Sequence, residues 1–547
     1  MILILLSTIF MIPVLMGIGK IMEIFWGSLL QGISGKIAIG ILGISVGWTL
    51  ISFFIPLNIY VETFTIVLGL IYFFKDRLFH ELYQFSGKDI LLITAVSFLI
   101  AWAGSYSPYL LDHFGYYVPT IQWLTEYGLI KGISNVDLTL GQMSLWHIFQ
   151  AGFSNFSDPF LRINTLLLII YTLYIIEKKN WVHLCLIPIL LLFSQSPSPD
   201  LPVIVFSLII LNEIIAGNKN HALLFAFSVF VFTIKPTMIW LPILIFLNAV
   251  IIFKSNFKIL IFGSLILILF FIKNIWTFGY PVFPVSIGDL GLPWKPNSEV
   301  LKTSSRYAIQ KTYDMQYSYE EIQKFSIFDY VKNWFFLKGI KSKINILFIV
   351  SLLVLSLFTW VKKRMLITLI CISLLIKSIV ILAFSAQYRF FIDVFFVMFF
   401  IIFYEYFDRK KSITVFSVLS LSIILLLSFP NLIQRYLPSF KPGNFIAGFE
   451  KKQLYKPSVY QYHHYDSFRV GNLKFNVSKK YPFNFDTPLP SISTGYIFDD
   501  AKQGIFPQYC NENNIRKGFI WKKLNSKEKS EAEKVINSIK NSYKQNK

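Results

Sequence analysis

Ser105-Tyr106-Ser107-Pro108-Tyr109-Leu110-Leu111-Asp112-His113-Phe114-Gly115-Tyr116-Tyr117 sets a carboxyl directly after an apolar run and among aromatic rings. Partial desolvation at such a place raises the basicity of a carboxylate, which a general base needs if it is to deprotonate a hydroxyl. The competing role for Asp112 is to cap the helix that follows, where Asp is favoured. His113 reads first as a hydrogen-bonding or packing partner, and Tyr116 and Tyr388 are secondary candidates. A second acid comes in Ser194-Gln195-Ser196-Pro197-Ser198-Pro199-Asp200-Leu201-Pro202, whose prolines fix an extended connection. An acid at a membrane boundary is costly unless it is paired or solvated, so Asp200 either lines a site or caps its helix. Asp137 and His147 lie in a Gly-punctuated polar stretch, 127–147, where a satisfied loop is the plainer reading.

Three cations oppose these acids. Lys235 sits in Thr233-Ile234-Lys235-Pro236, Lys273 in Phe271-Ile272-Lys273-Asn274 and Arg389 in Gln387-Tyr388-Arg389-Phe390. Each lies at the end of an apolar run, on the side where basic residues are disfavoured by the positive-inside bias. One alone would be snorkelling to headgroups. Three together suggest recognition of an anion, and the arginine fork suits a phosphate. Lys377, inside the preceding run, is ambiguous. Carboxylates, phosphate-binding cations and an aromatic rim suit a sugar carried on a polyprenyl phosphate: the tail stays in lipid, the phosphate meets the cations and the sugar carbon faces the acids.

The elements that must hold these residues are membrane helices. Hydrophobic residues make up 55% of the 547-residue chain and charged residues only 15%, against about 25% charged in a soluble domain. Mean hydropathy is +0.58. This composition excludes a soluble globular protein, a disordered chain, a coiled coil and a disulfide scaffold. The three cysteines, Cys185, Cys371 and Cys510, are too few for a cysteine-based zinc site. No Walker loop, GxGxxG or HExxH pattern occurs, which removes support for nucleotide-driven pumping and zincin chemistry. The net charge of +21 suggests nucleic acid only on a soluble fold, so no nucleic-acid partner is expected.

Apolar runs recur from residue 1 to residue 430, near 2–30, 37–57, 58–75, 89–105, 161–177, 181–194, 200–216, 220–234, 237–253, 257–274, 343–361, 365–384, 389–407 and 412–430. About 12–14 of them are expected to be transmembrane helices, the first a retained helix and not a signal peptide. Basic clusters at Lys75/Arg77/Lys88, Lys178/Lys179, Lys219, Lys254/Lys258, Lys362/Lys363/Arg364 and Arg409/Lys410/Lys411 fall at every second boundary. The positive-inside rule makes those boundaries cytoplasmic. Loops 106–160 and 275–342 and the region 431–547 are then extracytoplasmic. Within the first loop, 113–127 has helical periodicity with Trp123 and Tyr127 and is expected to lie flat on the membrane. Trp276, Trp294 and Trp334 of the second are expected at headgroup level. The region 431–547 holds 20 Lys/Arg against 9 Asp/Glu. Its early part is expected to be a small packed domain and its Lys-rich end, 522–547, a solvated helix.

The acid that opens the first large outer loop, with the many runs around it, resembles the GT-C superfamily of integral-membrane glycosyltransferases. More closely, the chain resembles a family of bacterial multi-spanning membrane proteins of unassigned function. That likeness covers about 90–400 and rests on Asp112-His113-Phe114-Gly115-Tyr116-Tyr117, Trp123-Leu124-Thr125-Glu126-Tyr127-Gly128, Ser196-Pro197-Ser198-Pro199-Asp200-Leu201-Pro202, Lys273-Asn274 with Gly279-Tyr280-Pro281-Val282-Phe283-Pro284, and Tyr388-Arg389-Phe390. The superfamily resemblance implies an all-α polytopic transmembrane domain over 1–430. It also implies an inverting transfer of sugar to a lipid-linked glycan or surface polysaccharide, with Asp112 as base. Many members carry two acids together in this loop. Here His113 follows Asp112, so no cofactor is expected, although a divalent metal is the alternative. An O-antigen polymerase or ligase, and a flippase or transporter of lipid-linked saccharides, are the rival readings. The expected place is the bacterial inner membrane.

Overall fold

The computed structural model describes residues 1–436, 445 and 447–544, and it is mostly helical. Among the described residues seven helices are long and apolar enough to cross a membrane: Ile2–Trp26, Ile33–Ser52, Gly87–Gly104, Phe257–Phe278, Ile340–Lys362, Met365–Phe384 and Arg409–Ser428. Packed among them are shorter apolar helices, including Ile59–Lys75, Ile163–Lys178, Asp200–Ile215, His221–Ile234 and Tyr388–Phe403. The run 181–194 forms one short but irregular apolar helix, Trp181–Phe193, tightly wound at Trp181–Leu186 and Leu191–Phe193 and α-helical between them at Ile187–Leu190. Pro188 cannot donate to the preceding turn. Irregular backbone is tolerated at membrane depth where protein surrounds it, and Leu184, Ile187, Leu190 and Leu191 are fully buried.

Successive helices run up and down, so the basic boundaries gather at one end of the bundle. There Arg409 pairs with Asp89 at 3.1 Å and lies over the Trp181 ring. Arg364 reaches Glu405, and Glu177 accepts the backbone N–H of Ile33 at 2.7 Å. Ser52, Gly104, Asp200, Phe278, Ile340 and Tyr388 stand at the opposite end. The chain is a membrane protein whose two ends differ in charge.

Helices Ile2–Trp26, Ile33–Ser52 and Ile59–Lys75 pack through glycines, as close helix crossings in lipid do. A Cβ built on Gly17 would overlap the Gly69 carbonyl, and one on Gly40 the Leu15 carbonyl. Gly17→Leu is therefore expected to cost about 1–3 kcal/mol through overpacking, read as a lower unfolding temperature in detergent. An unchanged midpoint would show that the helices part freely.

The segment 113–127 does not turn its apolar face to lipid. It forms a wide turn at His113–Tyr117 and a helix at Val118–Glu126, with Trp123 and Leu124 fully buried. The Trp123 ring meets Phe519 of the C-terminal region at 5.8 Å, and Leu57 donates its N–H to the Leu124 carbonyl. The physical reason is the Leu145–Gly152 helix, which packs on this segment and takes the apolar face that lipid would otherwise take, with Phe519 closing on the Trp123 edge. Trp276, Trp294 and Trp334 are likewise internal anchors. Their indole N–H groups donate to the carbonyls of Leu129, Ile275 and Ala386.

The C-terminal region builds two antiparallel hairpins, β1 (Tyr465–Val470) with β2 (Leu473–Ser478) and β3 (Ile505–Tyr509) with β4 (Phe519–Lys523). Gly471, at φ +61, makes the tight turn between β1 and β2, a conformation that costs glycine least. Leu473, Phe475 and Val477 alternate inward along β2. The Ser526–Lys544 helix is docked and not free in solvent, because Ala532, Val535 and Ile539 form a buried stripe on it. The described part of the region docks on the 106–160 loop and its start. Phe485 donates to Phe114, Phe519 to Lys131 and Ser458 to Ser105, all backbone to backbone.

Candidate functional site at the end of the bundle

Asp112 follows the Gly87–Gly104 helix in helical backbone, and its side chain makes no capping bond. It pairs instead with Arg389, the second residue of the Tyr388–Phe403 helix, at 2.9 Å. Both side chains remain open, at 42% and 41% exposure. Asp200 opens its own helix, again without capping it, and is bridged by Lys235. That pair is deeper, with side chains 17% and 14% exposed. Lys235 joins the two pairs by donating to the Arg389 carbonyl at 2.7 Å while lying 5.4 Å from the Phe390 ring centre. The result is an alternating cluster of two acids and two cations drawn from four separate stretches of chain.

Tyrosines line it. Tyr117 donates to Ser198 at 3.5 Å, and Ser198 in turn lies 3.3 Å from the Asp200 carboxylate. Tyr116 stacks edge-on against Tyr117 and is close enough for its hydroxyl to feel Asp112 and Arg389. Tyr388 lies under Lys341, which is itself bridged to Asp314. Lys311, from the Ser298–Thr312 helix, faces the same mouth. Burial lowers its pKa most, and Arg389 lowers it further, while Asp112 opposes.

The remaining sequence candidates, Lys273, His147, His113 and Asp137, bond to other partners and to neither acid, although the His147 ring packs on Tyr116 and Tyr117. Lys273 is 1% exposed, and its ammonium is held by the Met143 carbonyl. His147 closes a capping box with Ser144, and burial followed by the nearby Lys273 charge pushes its pKa down to about 3. His113 meets Ser196 at 2.9 Å, and burial then Arg162 push it down to about 3 as well. Both imidazoles are neutral at physiological pH, so neither stores a proton there. Asp137 caps the short Leu138–Gln142 turn and also receives Asn484 and Ser493 of the C-terminal region, at 3.2 and 3.0 Å. Among the described residues no three His, Cys, Asp or Glu side chains gather as a metal-binding group.

Two features were missed in the sequence. Asp393 is bridged to Lys377, and both are almost fully buried, at 4% and 1%; Trp240 donates to the same carboxylate at 3.0 Å. An acid one turn after Arg389 inside an apolar run was the signal. Arg162, 2% exposed, is the other. It donates to the carbonyls of Gly104, Phe160, Tyr106 and Ser458, at 2.8, 2.6, 3.4 and 2.7 Å. It too begins an apolar run at the end where basic residues are disfavoured.

Asp500 sits near Asp137, and no side-chain partner for it occurs among the described residues. Burial, then Asp499 and Asp137, hold its carboxyl well above the usual carboxylate range. Because the folded value exceeds the unfolded one, its contribution is present at low pH and is lost as pH rises from about 4 through the folded value. Asp500→Asn should therefore raise the unfolding temperature at pH 8 and leave it nearly unchanged at pH 4. Equal shifts at both would refute the assignment. A hollow of about 800 Å³ lies nearby, between the Thr494–Lys502 and Ser526–Lys544 helices and away from Asp112.

Together the bundle and its ion-pair cluster define a polytopic helical membrane protein with a polar, partly open mouth at one end. The model of the family described as Domain of unknown function (DUF8201) matches residues 1–396, and the chain belongs to that family. No curated protein and no solved structure matches it. The matched span contains Asp112, Asp200, Lys235, Arg389 and Asp393, and it stops well short of the two hairpins.

Proposed function

We propose that the protein is a GT-C-type glycosyltransferase with about 12–14 membrane spans, acting on the extracytoplasmic side of a bacterial inner membrane. It moves a sugar from a polyprenyl phosphate to a hydroxyl of a lipid-linked glycan or surface polysaccharide, with inversion. One observation carries the reading. Asp112 and Arg389, 277 residues apart, meet at 2.9 Å with both side chains open, beside the linked Asp200–Lys235 pair. The donor phosphate competes for the Arg389 fork and for Lys235. As it takes Arg389, the Asp112 carboxylate is freed. That carboxylate accepts the acceptor's hydroxyl proton while the oxygen attacks the anomeric carbon, and the bond from that carbon to the phosphate oxygen breaks. The cations stabilise the departing phosphate charge. Asp200 holds Lys235 and orients the donor. Lys273 braces the 106–160 loop through Met143 and does not reach the phosphate.

A second reading has its own support. The buried Lys377–Asp393 pair stands within the helices, where transporters keep their charges, and it favours a flippase of lipid-linked saccharides. Purified protein in vesicles, offered a panel of polyprenyl-phosphate sugars with a labelled acceptor, separates the two. Sugar transfer supports the enzyme. Movement of labelled lipid-linked saccharide across the vesicle with no donor consumed replaces it with the transporter.

A further inference from the structure

The Ile327–Phe335 helix carries an apolar face that no part of the described chain covers. Ile327, Phe328 and Val331 are 87%, 71% and 52% exposed, and Phe336 just beyond them 73%. Residues i, i+1 and i+4 share one side of a helix, so these side chains form a stripe. Ser326 and Asp329 close a capping box at the helix start, which fixes its direction. Lys324, Lys332, Lys338 and Lys343 stand exposed on this stretch, against the exposed Glu320 and Glu321 of the turn before it and Asp329, which its capping box engages.

Position decides what covers it. The membrane-crossing Ile340–Lys362 helix begins four residues after Phe336. Its own outward side chains, Ile346, Leu347, Val350 and Leu353, are exposed apolar groups. The short helix packs on the start of that membrane helix, so its stripe stands beside the bilayer-facing wall, at the height of the headgroups. An apolar stripe flanked by lysines, with two of the three nearby acids engaged in capping boxes, suits an anionic lipid surface at that height.

The same helix grips the site. Trp334, at the margin of the stripe, turns inward to 5% exposure and donates to the Ala386 carbonyl at 2.9 Å. Asn345 donates to the Trp334 carbonyl, and Phe391 packs near the indole. Ala386 lies three residues before Arg389, in the connection whose Ser385 bonds Ala308 and Thr312. We infer that the Ile327–Phe335 helix docks on the headgroup layer of an anionic bilayer and, through the Trp334–Ala386 bond, holds Arg389 at Asp112. The inference stands whether the site transfers sugar or moves lipid-linked saccharide.

The test uses the full chain in vesicles of phosphatidylcholine with or without phosphatidylglycerol. Cys510, the exposed cysteine, is changed to Ser, and Phe328→Cys takes an environment-sensitive fluorophore. Brominated lipid should quench the label, more strongly with phosphatidylglycerol present. A paired variant, Ile327→Asp with Phe328→Asp, should speed amide exchange of 385–391 by about tenfold and leave the Ile33–Ser52 helix protected as before. That last protection shows the fold is intact, since both positions are exposed. A label that lipid does not quench, or quenching indifferent to phosphatidylglycerol, overturns the docking. Unchanged exchange at 385–391 overturns the coupling to Arg389.

Discussion

Asp112→Asn is expected to lower sugar transfer by about a hundred- to ten-thousand-fold with little change in stability. The substitution keeps the side chain's shape and removes its negative charge, and with it the capacity to take a proton. The Arg389 pair it weakens is open to solvent at 42% and 41%, and an exposed ion pair is worth about 1 kcal/mol at most. Unfolding therefore cannot account for a loss of that size. Arg389→Lys separates the other role. Lysine keeps the charge but loses the two-pronged grip on a phosphate, so donor KM should rise more than kcat falls. Initial rates in vesicles, at saturating and limiting donor, read both variants. Near wild-type turnover by Asp112→Asn would remove this carboxylate from the chemistry.

Arg162→Leu is expected to destabilise the protein by about 3–5 kcal/mol, the usual cost of deleting one member of a buried charged network. Four carbonyls lose their donor, and Asp158, whose carboxyl burial lifts to about 7, loses the neighbouring cation that counters the shift. The Ser458 carbonyl is the contact that spans the fold, since it ties the C-terminal region to the start of the Ile163–Lys178 helix. Thermal unfolding in detergent should show the loss, and limited proteolysis should cut earlier around 447–460. A cost below about 1 kcal/mol would place Arg162 among ordinary surface arginines.

Chemistry-bearing residues were legible in the sequence to the extent that membrane cost made them conspicuous. Lys235, Lys273 and Arg389 stood out as cations at the wrong end of apolar runs, and the structure puts two of the three on the acids. Lys273 shows why that signal is incomplete: the same boundary position serves a backbone carbonyl equally well, and residue type does not distinguish carboxylate from carbonyl. Asp112 and Asp200 had two local roles open, cap or site. Capping is decided within three residues, whereas their partners lie 277 and 35 residues away. The expectation for 113–127 failed through a missing neighbour. Its amphipathic pattern is real, but the face that would meet lipid is taken by the Leu145–Gly152 helix, with Phe519 at the Trp123 edge. The Ile327–Phe335 helix has the same kind of pattern, and nothing in the described chain covers it.

Residue order alone was enough to show that this chain lives in a membrane, that its runs are helical and that its two ends differ in charge. Hydrocarbon imposes those properties on each short stretch separately, because every buried peptide group must be bonded within its own helix and every charge near the core is costly. That Asp112 meets Arg389, that Lys377 meets Asp393 and that Phe519 of the C-terminal region meets Trp123 came from the folded arrangement alone. Those are meetings between distant segments, set by how helices cross and which faces remain to be covered. A local pattern records that a face must be buried, and carries no record of what buries it.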